Sequence, residues 1–412
     1  MRILHTADWH LGRYLEQNNR LDEQAAFLDE ITRICEEQSV DLLLVTGDVF
    51  DTYNPPAAAE TLFYDALERL SGQGRRGIIV IAGNHDNPER LSAAAPLAFQ
   101  HGIILLGYPG SDAGLLVNRH TDRQDMVIAA GPGYLRIRPP ASDCTATVLT
   151  LPFPSEARLM AAAGKISSEE AGQLDYAHKI GRLLNDLAAE QFSPETVNLV
   201  AAHFFVQGGW TSDSERILQL GAAMLVNPEY LPDTAQYIAL GHLHRPQAVA
   251  GSRAPARYAG SPLAYSFSES GYTKSVCLVE AFPGQPAVIQ TIPLTSGKPL
   301  RRWQARDGLE QAMAWARDGR DSGCWIDLEI TADRLLTASE ILALRELNPG
   351  LLYIRISLNA RDKTASEPAS RQGRRIEELF AEFYCYRNSV PIPEDVLATF
   401  LEMVNQEPEV TA

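Results

Sequence analysis

The chain has 412 residues, with 36 lysines and arginines against 52 aspartates and glutamates, and a formal net charge of −16. This length exceeds what one compact core usually holds, so we expect one large domain followed by one or two smaller units. The negative charge argues against a protein that binds nucleic acid over its whole surface, since phosphate binding needs local lysine and arginine; bound divalent metals or a partner subunit could still supply positive charge.

Cysteine usage indicates a reducing compartment. Cys35, Cys144, Cys277, Cys324 and Cys385 are odd in number, scattered, and never arranged as CxxC pairs. This spacing argues against a disulfide framework and against a thiolate zinc site. The first residues lack the pattern of a secretory leader, and no apolar run approaches the roughly 18 residues of a membrane span. We therefore expect a cytoplasmic protein without a membrane segment.

The first hundred residues alternate short apolar runs with helical patterns, which is typical of βαβ units and a largely parallel sheet. The apolar runs RILHT, LLLVT and GIIVI each lead into a polar motif, at Asp8, Asp48 and Asn84 respectively. Between them, one predicted helix follows the first strand and another, opened by Pro55 and Pro56, runs to Leu70. Three strand ends should therefore converge on one edge of the sheet.

The next two hundred residues are more typical of β structure. From Gly102 to Pro154 short runs broken by Gly, Pro and Asp favour hairpins, and VNLVAAHF and YIALGHLH then predict buried strands that end in histidine. Further short strands are expected from Tyr258 to Leu294. The prediction is an α/β domain over residues 1–297, built as a two-layered sheet sandwich flanked by helices.

The remaining chain divides into three predicted segments. Residues 298–360 show a βαβαβ order of small-domain size, and the polar segment 361–373 has the composition of a linker. Residues 374–412 contain two amphipathic patterns, Arg375–Tyr386 and Pro393–Val404, which predict a helical tail.

Metal-ligating residue types recur at the predicted strand ends. Asp8 and His10 are two residues apart, so the strand period directs both side chains the same way. The complete candidate ligand set is Asp8, His10, Asp48, Asn84, His203, His242 and His244. Carboxylate, imidazole and amide ligands without thiolate suit manganese, iron or zinc better than magnesium or calcium. Seven ligands fit two ions roughly 3.5 to 4 Å apart that share a carboxylate, and Asp48 is the candidate bridge.

Each of these residues alone would have a simpler structural interpretation. A strand-end aspartate is usually a turn or cap residue, and a buried histidine is usually a hydrogen-bonded core group. Five motifs that each close a predicted strand make chance assembly improbable. We assign a structural role to the histidines without ligand-like neighbours, which are His5, His101, His120 and His178. Asp51 and Asp86 are expected to support the ligands.

The motifs TADWHLG, GDVFD, AGNHD, AAHFF, GHLHRPQ and YAGSPLAYSFSE together resemble the SbcD nuclease subunits. These are calcineurin-like metallophosphoesterases and the bacterial counterparts of the Mre-type DNA repair nucleases. The resemblance covers nearly the whole chain and is looser beyond Gly297. It implies a calcineurin-like β-sandwich, with residues 298–360 as a capping domain and residues 374–412 as a helical region that binds a partner.

The resemblance also implies a division of the ligands between two Mn²⁺ ions. One ion would be held by Asp8, His10, Asp48 and His244, and the other by Asp48, Asn84, His203 and His242. His85 would act catalytically, by protonating the leaving oxygen or steadying the phosphate, and Asp86 would orient His85.

The function that the resemblance implies is manganese-dependent cleavage of DNA in repair, replication and recombination. Such subunits work with SbcC, a coiled-coil ATPase, as an ATP-dependent exonuclease on double strands and an endonuclease on single strands and hairpins. This chain has no GxxxxGK[ST] loop, so the ATPase must be a partner, and a homodimer within a heterotetramer is implied. Two alternatives stay open: a phosphoesterase for small phosphodiesters, and a noncatalytic scaffold for an ATPase partner.

Overall fold

A computed structural model describes residues 1–117, 126–166, 176–215, 225–358, 376–388, 392–393, 396–397 and 400–401. His120 and the predicted linker 361–373 lie outside these residues. The described strands, in chain order, are β1 (Arg2–Thr6), β2 (Tyr14–Leu15), β3 (Asn18–Asn19), β4 (Leu42–Thr46), β5 (Gly77–Ile81), β6 (Ile103–Leu106), β7 (Val127–Gly131), β8 (Tyr134–Ile137), β9 (Ala146–Leu151), β10 (Val197–His203), β11 (Tyr237–Gly241), β12 (Gln247–Ala248), β13 (Ala256–Tyr258), β14 (Ser275–Glu280), β15 (Val288–Pro293), β16 (Leu300–Ala305), β17 (Trp325–Ala332) and β18 (Leu351–Leu358).

The helices lie between these strands and after them. In chain order the described helices are α1 (Leu21–Glu37), α2 (Ala57–Leu70), α3 (Pro88–Ser92), α4 (Ala95–Phe99), α5 (Gly114–Val117), α6 (Glu156–Ile166), α7 (Tyr176–Gln191), α8 (Leu309–Arg317), α9 (Ala338–Leu347) and α10 (Ile376–Asn388). None of them, within the described chain, combines the length and the apolar character that crossing a membrane requires.

Two large sheets pack face to face. Six described strands form the first sheet in the order β15-β14-β1-β4-β5-β6, and seven form the second in the order β12-β13-β11-β10-β9-β8-β7. Side chains from both sheets, such as Leu44 of β4 and Leu199 of β10, share one buried cluster between them. Helices α1 and α2 cover the outer face of the first sheet, and α7 covers that of the second. The predicted sandwich flanked by helices is confirmed.

The strands that carry the polar motifs run parallel to one another. In the first sheet β4 pairs in parallel with β1 and β5, and in the second β10 pairs in parallel with β11. Apart from Arg2 at the start of β1, their runs are buried because each sheet has a helix on one side and the other sheet on the opposite side. Parallel pairing places the carboxyl ends of neighbouring strands at one edge, where the motifs lie.

The prediction of hairpins from Gly102 onward is only partly correct. Strands β7, β8 and β9 pair antiparallel as expected, but β6 pairs in parallel with β5 and completes the first sheet. The run IILL of β6 is wholly buried and contains no alternation, so its period could not separate a hairpin strand from a buried parallel strand. Helices α6 and α7 are not among the predicted elements.

Residues 300–358 form a separate parallel sheet in the order β16-β17-β18, with α8 and α9 as the crossover helices. This is the βαβαβ order that the sequence predicts. The small sheet contacts the sandwich through a cluster that includes Leu15, Phe267 and Leu300. The Trp325 indole also donates a hydrogen bond to Glu23 at 3.1 Å.

In the tail, α10 corresponds to the first predicted helix. Of the second predicted helix, residues 393, 396–397, 400 and 401 are described. The rings of Phe380 and Phe400 stack with centroids 3.6 Å apart and an angle of 13° between their planes. The described parts of the two predicted tail helices therefore pack against each other.

Candidate metal centre

Six of the candidate ligands lie on loops that follow parallel strands, and His203 is the last residue of β10. Asp8, His10, Asp48 and His242 all have positive φ, at 53°, 46°, 47° and 109°. Side chains other than glycine rarely adopt such values, and these conformations concentrate at functional sites. Backbone hydrogen bonds hold them: the N–H of Asp8 donates to the carbonyl of Gly47 at 3.0 Å, and that of His10 to the carbonyl of Asp48 at 2.9 Å. The loops after β1 and β4 are thereby fixed to each other.

Two glycines of the motifs are needed for close approach. A Cβ atom at Gly83 would overlap Oδ1 of Asp48, and one at Gly241 would overlap the carbonyl oxygen of Thr46. The glycines of AGNHD and GHLH thus let loops from both sheets meet without a side chain between them. This is the physical reason for a glycine before the ligands in these motifs.

Three of the candidate ligands form a first group. Nε2 of His10 and Nε2 of His244 face each other 2.9 Å apart. Oδ2 of Asp8 is buried without a hydrogen-bond partner, and ligand atoms of all three residues lie within 4.8 Å of one another. Two nitrogen atoms and an unpartnered carboxylate oxygen thus converge on one point.

Asn84 organises a second group. Its Oδ1 lies 3.0 Å from Nε2 of His203 and 2.9 Å from Nδ1 of His242. The other ring nitrogen of His203 donates to the carbonyl of Thr46 at 2.8 Å, which leaves Nε2 as the nitrogen with a free lone pair.

Asp48 lies between the two groups. Its Oδ2 is 3.7 Å from Nε2 of His10 and 3.6 Å from Nε2 of His203, one member of each group. Its Oδ1 accepts a hydrogen bond from the backbone N–H of His85 at 2.9 Å. The carboxylate is therefore held in a fixed orientation with one oxygen facing both groups.

Burial keeps the imidazoles neutral. Desolvation lowers the pKa of His10 to about 4 and, together with the nearby His203, lowers the pKa of His242 to about 3. Neutral imidazole has a lone pair that can bind a metal ion. Burial and then the charge of Asp48 raise the pKa of Asp8.

These donors fit divalent cations. Asp8 and Asp48 are fully or almost fully buried, and in the described chain their ion-pair contacts are with histidines alone. Two buried carboxylates close together need positive charge, which neutral imidazoles do not provide. All seven predicted ligands meet at this one place, so the fit is to a pair of ions, with nitrogen and oxygen donors of the kind that transition metals prefer.

His85 is adjacent to the ligands, but Asp86 does not orient it. Nδ1 of His85 contacts the backbone carbonyl of Asp51 at 2.7 Å, and Nε2 lies 4.0 Å from Oδ2 of Asp48. The carboxylate of Asp86 instead accepts hydrogen bonds from three backbone N–H groups, those of Val49, Phe50 and Gly83. The predicted orienting role of Asp86 is therefore wrong.

Asp86 and Asp51 support the centre in different ways. The hydrogen bonds to Asp86 join the loops after β4 and β5, while burial and the charge of Asp48 raise its pKa to about 6. Oδ1 of Asp51 lies 3.5 Å from Nδ1 of His10, so Asp51 approaches both His10 and His85. Asp51 thus has the positioning role toward His85 that was predicted for Asp86.

A buried polar network behind His244 was not predicted. The hydroxyl of Ser214 contacts Nδ1 of His244 and donates to Oε1 of Glu269 at 2.6 Å, and Lys274 pairs with Oε2 of Glu269. Glu215 accepts from the backbone N–H of His244 at 2.8 Å. The run TSDSER shows no strand or helix period, so its concentration of polar residues was the one available signal.

The described histidines that were assigned structural roles are placed outside the ligand groups. His5 is buried and its nitrogens contact the hydroxyls of Tyr237 and Thr46, both at 2.9 Å. His178 contacts the hydroxyl of Tyr230 at 2.9 Å, and His101 is exposed.

Comparison with known proteins identifies the family. The sequence profile of the calcineurin-like phosphoesterases matches residues 1–246. The chain is 43% identical over 406 residues to the SbcD subunit of the SbcCD nuclease of Bacillus subtilis, with 98% of each chain covered. It is 33% identical to the corresponding SbcCD nuclease subunit of Rhodobacter capsulatus, with 82% of each chain covered. For its Escherichia coli K12 counterpart the identity is 30%, over 93% of this chain and 91% of the relative. The chain therefore belongs to the calcineurin-like phosphoesterase family and, within it, to the SbcD nuclease subunits.

Proposed function

We propose that this protein is the nuclease subunit of an SbcCD-like complex and hydrolyses DNA phosphodiester bonds with two Mn²⁺ ions. The observation that carries the proposal is the position of Asp48, with Oδ2 3.7 Å from His10 and 3.6 Å from His203. One ion would be held by Asp8, His10, Asp48 and His244, and the other by Asp48, Asn84, His203 and His242. Such a pair of ions supplies a nucleophile at neutral pH and neutralises charge on the phosphate.

The cleft beside His85 would receive the scissile phosphate. It has a volume of about 430 Å³ and is lined by Arg13, Asp51, Asn54, His85 and Ser214. Nη1 of Arg13 is buried without a hydrogen-bond partner and lies 3.5 Å from Asp51, so it has a donor available for a phosphate oxygen. His85 would hold a proton at Nε2 and pass it to the leaving oxygen.

The same site could serve small phosphodiesters, or the chain could be a noncatalytic scaffold. A scaffold would have no use for buried carboxylates that face one another with one unpartnered oxygen, because that arrangement destabilises a metal-free fold. The preference for a nuclease over a small-molecule enzyme rests on relatives named as nuclease subunits across the full chain length.

The partner and the outer segments form a second part of the proposal. An SbcC-like coiled-coil ATPase would supply ATP hydrolysis, DNA would be the substrate, and two nuclease subunits would pair within a heterotetramer. Residues 298–360 would act as the cap, 361–373 as the linker and 374–412 as the ATPase-binding region. A cytoplasmic location is in keeping with the free thiols of Cys35, Cys144, Cys277 and Cys324.

One experiment separates these functions. The purified full chain is incubated with Mn²⁺, Mg²⁺ or EDTA and offered single-stranded DNA, hairpin DNA, blunt duplex DNA and bis(p-nitrophenyl) phosphate. We expect Mn²⁺-dependent cleavage of single strands and hairpins by the chain alone, and duplex degradation after addition of the ATPase partner and ATP. Hydrolysis of the small diester without DNA cleavage would support the small-substrate enzyme, and no hydrolysis of any substrate would support the scaffold.

A further inference from the structure

Trp210 is an exposed tryptophan in a protein that buries most of its indoles. Its side chain is 68% exposed, whereas Trp9, Trp303 and Trp325 are between 0% and 7% exposed. Leaving a large apolar ring in water forgoes the stabilisation that burial would give, roughly 1.5 to 3 kcal/mol for a large apolar side chain. An exposed indole of this kind is a candidate contact for a ligand, since tryptophan is enriched at binding surfaces.

The backbone of Trp210 is held in place although its ring is exposed. The N–H of Trp210 donates to Oε1 of Gln247 at 2.8 Å, and Nε2 of Gln247 donates to the carbonyl of Trp210 at 2.9 Å. This reciprocal pair of hydrogen bonds fixes the residue to the segment after the ligand His244. The exposed ring is thus presented from a defined position and not from a loosely attached loop.

The segment that carries the ring packs against the loop that carries the ligands, and the ring lies beside a cation. A Cβ atom at Gly209 would meet Leu243, the residue between the candidate ligands His242 and His244. The guanidinium carbon of Arg245 lies 5.3 Å from the centroid of Trp210 and 4.5 Å from that of Tyr272. Among the described residues, no carboxylate lies within ion-pair distance of Arg245. A cleft of about 230 Å³ adjoins the ring.

We propose that Trp210, Arg245 and Tyr272 form a platform on which an unpaired nucleobase of the substrate strand stacks. Exposed aromatic rings bind bases through their π faces whatever the sequence, and an adjacent guanidinium adds a charge for the flanking phosphate. Arg245 follows the candidate ligand His244 directly in the chain, and Gln247, which holds the backbone of Trp210, lies two residues further on, so the platform is attached to the loop that carries the ligands. The inference rests on the proposed DNA substrate and specifies single-stranded DNA, frayed ends or hairpin loops as the bound form.

Fluorescence provides a direct test that does not depend on cleavage. The full-length protein is titrated with oligodeoxythymidylate at low ionic strength in EDTA, which prevents hydrolysis. We expect the oligonucleotide to quench the emission of Trp210. Trp210→Phe should remove this quenching while retaining affinity, measured by fluorescence polarisation of a labelled strand, because phenylalanine keeps a ring for stacking.

Loss of the ring should weaken binding only when the strand has bases. For Trp210→Ala we expect a roughly 5- to 100-fold weaker affinity for oligodeoxythymidylate. With an abasic strand of the same length the variant and the wild type should bind equally, because no base is present to stack. Phe282→Ala is the matched control: it removes an exposed ring just after β14, at the end of the sheet away from Asp8, and should leave both affinities unchanged.

The outcomes distinguish this inference from the proposed function. Unchanged affinity of Trp210→Ala in a protein that still binds and cleaves DNA would overturn the platform alone, and equal losses on normal and abasic strands would overturn stacking. If the variant binds DNA normally but no longer copurifies with the ATPase, the ring is a protein contact and the inference is wrong. A wild-type protein that neither binds nor cleaves DNA would overturn both.

Discussion

The hydroxyl of Ser214 lies 2.5 Å from Nδ1 of His244, on the side of the ring opposite the candidate metal site. If Nε2 of His244 binds an ion, Nδ1 carries the proton and donates a hydrogen bond to the hydroxyl of Ser214. Ser214 in turn donates to Glu269 at 2.6 Å, and Lys274 neutralises the far end of this chain of hydrogen bonds. Such partners fix the tautomer and the direction of a metal-binding imidazole.

Removing the hydroxyl of Ser214 should weaken metal binding at the site that includes His244. We expect Ser214→Ala to lower metal affinity or activity by about 10- to 100-fold, measured as Mn²⁺ binding by isothermal titration calorimetry and as the Mn²⁺ concentration needed for half-maximal cleavage. Ser214→Thr, which keeps a hydroxyl, should recover most of the loss. Ser268→Ala is the control, because Ser268 bonds the N–H of Asp213 and not His244. Wild-type metal binding in Ser214→Ala would show that the hydrogen bond has no positioning role.

Asp48 should be required for both ions. Because its Oδ2 faces one histidine of each group, Asp48→Ala removes a ligand from both proposed sites at once. We expect loss of bound metal and of cleavage, together with loss of the rise in Tm that Mn²⁺ gives to the wild type. Asp143→Ala, outside the site, should behave as the wild type in all three assays. Two ions per chain in Asp48→Ala, by metal analysis, would contradict the bridging role.

His85 should matter for the reaction and not for the metals. Its Nδ1 is held by the carbonyl of Asp51, and its Nε2 lies beside Asp48 at the cleft. His85→Gln should slow kcat by roughly 10² or more while leaving metal stoichiometry unchanged, because only the proton donor is lost. The exposed His101→Gln is a control expected to have wild-type rates. Loss of bound metal in His85→Gln would assign His85 a structural role.

Glu30 should make stability depend on pH. It accepts hydrogen bonds from the N–H of Ser296 at 2.8 Å and from the N–H and hydroxyl of Thr295 at 3.0 and 2.7 Å. Burial opposes ionisation, but these bonds outweigh it and lower the pKa of Glu30 below its ordinary value of 4.5. The stabilisation that ionised Glu30 gives to the folded state is fully present above the ordinary pKa of the group. This stabilisation is lost as the pH falls through the lower pKa that Glu30 has in the folded protein.

Glu30→Gln should therefore lower the free energy of unfolding by about 1 to 2 kcal/mol at pH 7, measured by urea denaturation. The difference from the wild type should shrink as the pH falls below about 4.5. Glu37→Gln is the control, because Glu37 pairs with Arg33 at the exposed surface and should change stability little. A difference that grows toward low pH would contradict the assigned sign.

The tail should bind the ATPase partner. Ile376 and Phe383 of α10 are 48% and 52% exposed, so the described residues leave part of its apolar surface uncovered. Deletion of residues 371–412 should abolish copurification with the ATPase and ATP-stimulated duplex degradation, while metal loading and cleavage of single strands persist. The double variant Ile376→Arg with Phe383→Arg should have the same effect in the full-length chain. Undiminished partner binding by the truncated protein would instead favour a tail that packs on the cap.

Local sequence patterns predicted the sandwich and the place of the site. Apolar runs of strand length that each lead into Asp8, Asp48 or Asn84 specify parallel strands whose ends share one sheet edge, and residue chemistry then specifies metal ligands there. The same patterns did not give the pairing of β6 and did not predict α7. A buried run has the same composition in a hairpin and in a parallel edge strand, so the partner of β6 was decided by the sheet it completes.

What the sequence determined by itself was the identity of the seven converging side chains, because each follows its strand by local spacing. The tertiary structure alone decided the surroundings. Ser214 and His244 are 30 residues apart, Ser214 and Glu269 are 55 apart, and no local period relates them. The same holds for His85 and Asp51, 34 residues apart, where a backbone carbonyl that any residue could supply took the place expected for Asp86. Hydrogen bonds between distant segments depend on where folding places their backbones, and spacing along the chain does not encode that.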